Sequence, residues 1–268
     1  MNQLLDIVRI IASLAFLLYA SWSDWKTREV TNTVWILFAP TAFTLTFIDL
    51  YLNNFSMLTF YGISFGLASA FAVILFYSGA FGGADAKALM CIALALPFYP
   101  QNLPTLLAEG ASPIAQIFFP LTVFSNAVLL AALTAVYIVF RNIFWRQKTG
   151  KKLFEAELAK ESLGKKLLVL VTGYKTSISK LKEKWHLYPL EDVESVEDKM
   201  QRKLVLIPRD EGRSEIVGRL EKAAQSGIIE DHVWASPGLP MLIFITIGFV
   251  LALVLGDIIW IGVSFLFG

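Results

Sequence analysis

Two aspartates carry the chemistry this sequence offers. Asp85 lies in Ser78-Gly79-Ala80-Phe81-Gly82-Gly83-Ala84-Asp85-Ala86-Lys87, between the apolar runs 58–77 and 88–98. A carboxylate at the edge of a bilayer core is costly unless it is paired, solvated or functional. Gly79, Gly82, Gly83 and Ala84 leave space for another backbone to approach it. Asp24, in Ser21-Trp22-Ser23-Asp24-Trp25-Lys26-Thr27-Arg28-Glu29-Val30, directly follows the first apolar run. Two carboxylates held close together cannot both ionise comfortably, so they share a proton and titrate as a pair. One then serves as general base on a water while the protonated one polarises a peptide carbonyl. That route needs no metal, serine or cysteine. On periodicity alone, two aspartates at helix ends fit ordinary solvated interface charges at least as well.

The elements that must hold these residues follow from composition. Of 268 residues 56% are hydrophobic, too many for an ordinary soluble protein. Only Arg9, Lys26, Arg28 and Lys87 are basic before Arg141, and no Lys or Arg follows Pro237. Residues 141–236 hold 19 basic and 15 acidic residues. The sequence therefore predicts a polytopic α-helical membrane protein: six transmembrane helices with a small cytoplasmic α+β domain between helices 5 and 6. The expected division is residues 1–140 (helices 1–5, with both aspartates), 141–236 (soluble insert) and 237–268 (sixth helix). Single Cys91 excludes an internal disulfide and any cysteine-based zinc site. His186 and His232 lie in the insert, so no metal centre is expected, and no cofactor.

The expected spans are 4–22, 33–50 (with Pro40 as a kink), 58–77, 84–98, 114–140 and 239–267, the last interrupted at Gly256-Asp257. Asp6 and Arg9, three apart on one helical face, are expected to pair. Gly62 and Gly66 form a small-xxx-small pattern that permits close helix packing. Trp22, Trp25, Trp35 and Trp145 read as interfacial belt residues. In the insert, 167–171 and 204–207 read as short strands, 151–163 as a helix, and 214–226 as a helix capped by Ser214.

Basic residues set the orientation. The loops after spans one, three and five hold Lys26, Arg28, Lys87 and the insert; those after spans two and four hold no Lys or Arg. Both termini are expected outside, with Asp24, Asp85 and the insert on the cytoplasmic side of the cell membrane.

At this point the motifs identify a resemblance. Asp24-Trp25-Lys26-Thr27-Arg28-Glu29-Val30-Thr31-Asn32 after a first span resembles the first aspartate motif of type IV prepilin and archaeal preflagellin peptidases. Gly82-Gly83-Ala84-Asp85-Ala86-Lys87-Ala88 resembles their second, the GxGD motif of a group of intramembrane aspartyl proteases, with Ala84 at the third position instead of glycine. Pro237-Gly238-Leu239-Pro240 is similar to archaeal members. The resemblance implies that Asp24 and Asp85 are the catalytic pair. It also implies removal of a short, basic class III signal peptide from pilin-like or archaellin precursors at the cytoplasmic face, before their hydrophobic segment. Bacterial members often add N-methylation through a domain with paired CxxC motifs; with Cys91 alone, no methyltransferase activity is expected.

Beside the pair, Lys26, Arg28 and Lys87 read either as supports for the site or as topology anchors, and Asn32 as a helix cap or a carboxylate orienter. Gly82, Gly83 and Ala84 are candidates for the substrate's approach. Asp257 reads as a helix break near the outer face. The expected partners are the precursor proteins and the lipid bilayer, with no nucleic acid; oligomeric state is not legible. Two other functions compete. A proton- or cation-coupled transporter or channel would use Asp24 and Asp85 as ion sites, but predicts carboxylates nearer mid-membrane. An anchor whose insert does the work would need a phosphate loop, triad or metal motif, and the insert offers none.

Overall fold

The structure is a computed structural model that describes residues 3–79, 81–100, 112–196, 199–205 and 212–267. It divides into two compact units, 1–131 with 240–268, and 132–239. Among the described residues, four helical stretches are long and apolar enough to cross a membrane: Gln3–Thr27 (α1), Asn32–Asn53 (α2), Phe55–Tyr77 (a 3-10 turn running into α3, Leu58–Tyr77) and Phe119–Thr149 (α6). A fifth candidate is a bent pair described below. The chain is a mostly helical membrane protein with a small α+β segment between its spans.

The expected fourth span takes a different form. α4 is Gly83–Ala95, 13 residues long, or about 20 Å at 1.5 Å per residue, short of a hydrocarbon core of about 30 Å. It is shielded by protein on many sides: Ala88, Ile92 and Ala93 are fully buried, and α1, α2, α3 and the later helix Met241–Val254 pack against it. Its alanines keep it thin enough to sit there. The carbonyls a helix end leaves unpaired must still be satisfied where no water reaches. Hydroxyls from neighbouring helices do this: Tyr61 donates to Leu94 O (3.1 Å), Thr46 to Ala95 O (2.8 Å) and Ser64 to Pro97 O (3.3 Å). Residues 101–111, between the fourth and fifth expected spans, lie outside the described residues. After them a short helix, Pro113–Ile117 (α5), leads into α6.

The last apolar segment breaks where the sequence suggested, into Met241–Val254 (later α10) and Ile258–Phe267 (later α11), bent by 55°. Gly256 takes a positive φ of 82°, and buried Asn126 of α6 bridges the break, donating to Gly256 O (2.9 Å) and accepting from Ile258 N–H (3.1 Å). Asp257 accepts from Trp260 N–H at 3.1 Å, which starts the second half.

Close helix packing is found at a glycine other than the expected ones. A Cβ at Gly62 or Gly66 would meet nothing within 4 Å, whereas one on Gly248 would lie 2.8 Å from both Ala127 N and Val123 O of α6. Trp35 is also not a belt residue: it is 6% exposed and packs in the helical core, unlike Trp22 and Trp25. α2 runs unbroken through Pro40.

Asp6 and Arg9 pair, as their spacing suggests, and the structure adds a third member. Arg9 also reaches Asp49 of α2 at 3.1 Å, with both side chains fully buried, and its guanidinium contacts Thr46 at 3.5 Å. The same Thr46 hydroxyl caps α4, so one polar cluster ties α1, α2 and the C-terminal end of α4 together.

In the second unit, a turn of 3-10 helix over Ala156–Lys160 stands where a helix was expected over 151–163. α7, Leu163–Thr172, replaces the expected strand over 167–171. A continuous apolar run does not distinguish the two; Ser162 decides it, its hydroxyl accepting from Lys165 N–H as a helix cap. Gly173 ends α7 where a Cβ would lie 2.3 Å from Leu190 Cδ1 and 2.9 Å from Ala235 O. Then follow β1 (Tyr174–Ser177), α8 (Ile178–Glu183), β2 (Leu187–Pro189), β3 (Glu191–Val196), β4 (Lys199–Leu204), α9 (Arg213–Gln225) and β5 (His232–Pro237). β5 runs antiparallel between β1 and β2, and β3 pairs with β4 as a separate hairpin. The strand expected over 204–207 ends at Leu204, and 206–207 lie outside the described residues. α9 begins one residue before Ser214, with Gly212 at the N-cap, and the Arg213 side chain donates to Leu187 O (2.8 Å) and Lys184 O (3.0 Å). Ile178, Leu181, Val217, Leu220 and Val233 form the core. The chain then closes the first unit with α10 (Met241–Val254) and α11 (Ile258–Phe267).

Candidate functional site

Asp24 sits in the last turn of α1 and Asp85 in the first turn of α4. The chain reverses between α1 and α2 through a tight connection. Arg28 N–H donates to Asp24 O at 2.9 Å, and Arg28 itself adopts a left-handed conformation, φ 58°. Thr27 and Ser23 brace this turn, each with its hydroxyl within 3.0 Å of Glu29 O. A non-glycine residue in that region costs roughly 1–2 kcal/mol, so other contacts of the turn must offset it.

On α4, Gly82 is the N-cap and Asp85 the third helical residue. The Asp85 carboxylate accepts from Gly82 N–H at 3.0 Å. This is a structural role in its own right, since a helix N-terminus leaves N–H groups unpaired and favours negative charge. A Cβ on Gly82 would lie 3.1 Å from Asp85 Oδ2, so the glycine leaves the carboxylate its room. At Gly83 a Cβ would meet Phe76 at an ordinary 3.6 Å. Ala84 is partly buried against the helical core, so its methyl has a packing partner that a glycine there would lack.

The two aspartates lie on the same side of the first unit, near enough to feel each other's charge. Asp85 lies within charge–charge range of both Asp24 and Arg28, and Asp24 within range of Arg28. Both residues are partly exposed. Lys87 and Asn32 also meet: the Lys87 ammonium donates to Asn32 Oδ1 at 2.7 Å, joining the first turns of α4 and α2. Lys26 points elsewhere, its ammonium 5.1 Å from the centre of the Trp22 ring. Asp257 is placed at the break between α10 and α11, where Ser112 and Trp260 N–H are its partners.

The sequence reading missed three buried charged groups. Asp49 is one. In the second unit, buried Glu191 accepts from Arg202 at 2.7 Å and lies 3.7 Å from Lys175, whose ammonium burial holds below the usual lysine range. Asp192 takes two bonds from Arg219, at 2.9 and 2.6 Å. Asp49 was detectable as the one acidic residue within the second apolar run. Glu191 and Asp192 had no local signal, because their partners are supplied by strand pairing and helix docking. Among the described residues no group of three or more His, Cys, Asp or Glu side chains is placed to hold a metal ion.

Known proteins show the same arrangement of sequence. Residues 11–140 match the profile of the type IV leader peptidase family, and residues 165–258 match that of the archaeal peptidase A24 C-terminus, type II. The chain is 29% identical over 243 residues to a preflagellin peptidase of Methanococcus voltae, covering 90% of this chain and 92% of the relative. It is 25% identical to a preflagellin peptidase of Methanococcus maripaludis, covering 90% and 92%. A preflagellin peptidase of Methanocaldococcus jannaschii is 22% identical, covering 93% and 94%.

Proposed function

The chain belongs to the type IV leader peptidase family of aspartic peptidases, and from that premise we propose that Asp24 and Asp85 are its catalytic pair, removing the leader peptide of preflagellins or pilin-like precursors. The observation that supports this reading is that the two carboxylates, 61 positions apart in sequence, lie within each other's electrostatic range, with Arg28 in range of both. One carboxylate takes a proton from water as the oxygen attacks the scissile carbonyl. The other, protonated, donates to that carbonyl oxygen. The proton gained by the base then passes to the leaving amine as the C–N bond breaks, and the hydroxyl proton returns to the other carboxylate as the carbonyl re-forms. In this reading the site faces the cytoplasm, which the basic residues following α1 and α3 and those of the insert support. The precursor's leader meets the pair there, at the bond just before the precursor's hydrophobic segment.

The deciding experiment incubates membranes carrying this chain with preflagellin and prepilin precursors and follows the mobility shift of cleavage. Cleavage is expected to be unaffected by metal chelators, serine reagents and thiol reagents, since no working atom is their target. Loss with a chelator and recovery with zinc would replace the dyad with a metal-dependent mechanism. No cleavage of either precursor class would remove the proposal.

Arg28→Gly separates a site role from an anchoring one. Glycine accepts the left-handed φ without strain, so thermal stability is expected to hold or rise. Cleavage is expected to fall roughly tenfold, the equivalent of about 1.4 kcal/mol of lost transition-state stabilisation. Unchanged cleavage with raised stability would leave Arg28 as a topology anchor alone.

A further inference from the structure

We propose that α7 is an interfacial helix, lying on the bilayer surface with Leu163, Leu167 and Leu168 turned into the lipid. A helix on a water-facing domain buries its leucines and exposes its lysines. α7 buries Val169 and part of Leu170 against its domain but leaves its other leucines out. Leu163, Leu167 and Leu168 are 76%, 61% and 51% exposed. Its lysines turn back toward their own domain: Lys165 pairs with Glu161 at 2.9 Å, and Lys166 donates to Ala159 O at 2.5 Å. Leu163 and Leu167, four apart, share a face, and Leu168 adjoins it. Exposed apolar faces of this kind mark an interaction surface.

What covers this one follows from how α7 is tethered. α6 is apolar from Ala132 to Phe140, and Arg141 is its first charge. The hydrocarbon boundary therefore falls near Arg141. The next residue, Asn142, is fully buried and donates to Leu170 O at 3.0 Å and Gly173 O at 2.8 Å. Those are carbonyls of the C-terminal end of α7. That end is thus fixed at the level where α6 leaves the bilayer, and a ten-residue helix extends only about 15 Å. Phe140 and Phe144 of α6, 56% and 67% exposed, stand at the same level. An amphipathic helix held there buries its apolar face among headgroups and upper acyl chains. In this arrangement α7 restrains the insert against the membrane.

The inference does not depend on Asp24 and Asp85, and its test reads no activity. Full-length chain in a Cys91→Ala background is reconstituted in phospholipid vesicles, with a fluorophore attached through Leu167→Cys or, as a water-facing reference, Ser226→Cys. Acyl-chain-brominated lipid is expected to quench the Leu167 label at least threefold more than the Ser226 label. Equal quenching at the two sites would overturn the proposal. So would fluorescence changes at Leu167 that track protein-to-lipid ratio instead of brominated lipid, which would make the face a contact between copies. A label-free arm guards against a probe that inserts by itself. Trypsin cleavage after Lys165 and Lys166 is expected to be at least tenfold faster in Leu163→Glu/Leu167→Glu/Leu168→Glu than in the parent in vesicles, and similar in both once detergent removes the bilayer. Equally slow cleavage of both in vesicles would also overturn it.

Discussion

Membranes carrying Asp24→Asn or Asp85→Asn are expected to leave precursor uncleaved, with rates down by about a thousandfold, within the range that positioned acid–base groups contribute. Asparagine is the informative replacement at Asp85. Its amide oxygen can still accept from Gly82 N–H, the bond that starts α4, so the helix N-terminus is kept while the ionisable group is lost. The stability cost is expected to stay under about 1 kcal/mol, the usual worth of a charge at a helix N-terminus. An amide neither takes a proton from water nor shares one with a neighbouring carboxylate. Each single variant is expected to be as inactive as the double, because a dyad with one member missing has no partial form. A mobility-shift assay together with a melting curve for each variant checks both parts. Wild-type cleavage by either asparagine variant would remove that residue from the proposed pair.

The second large effect is on folding. Arg9→Met is expected to lower stability by about 3–5 kcal/mol, the usual cost of breaking a buried ion pair by removing one partner. The guanidinium lies beside Asp6 and Asp49, and all three side chains are buried. Without it two carboxylates face each other in a site that excludes water. The variant is expected to accumulate poorly or to melt well below the parent. Asp6→Leu/Arg9→Met/Asp49→Leu is expected to recover most of the loss, since an apolar set of similar size avoids the desolvation that the ions require. Thermal melts of single and triple variants in one detergent make the comparison. A triple variant no better than the single would mean that Arg9 acts through Thr46 and the α4 cap instead of through charge balance.

Hydropathy alone gives α1, α2, α3 and α6 as long apolar helices, because a bilayer requires long apolar runs and that requirement is local; it did not give the short form of α4. The break at Gly256-Asp257 and the pairing of Asp6 with Arg9 are local too, one set by a glycine turn and the other by helical spacing. Asp24 and Asp85 stood out in sequence because charge at the end of an apolar run is costly wherever the chain goes. α7 was misread as a strand because a five-residue apolar run carries no period, and its decisive cap, Ser162, lies outside that run.

Other features belong to the tertiary structure alone. α4 can be 13 residues long because Thr46, Tyr61 and Ser64, distant in sequence, satisfy the carbonyls at and just beyond its end. Close approach of α10 to α6 falls at Gly248, not at the Gly62–Gly66 pattern, because packing depends on which faces meet. The approach of Asp24 to Asp85 joins the end of one helix to the start of another, and no spacing rule spans that distance. Residue types fixed which chemistry was available; only the packing of α4 against α1 and α2, with Arg28 in its left-handed turn, brings the two carboxylates within reach of each other's charge.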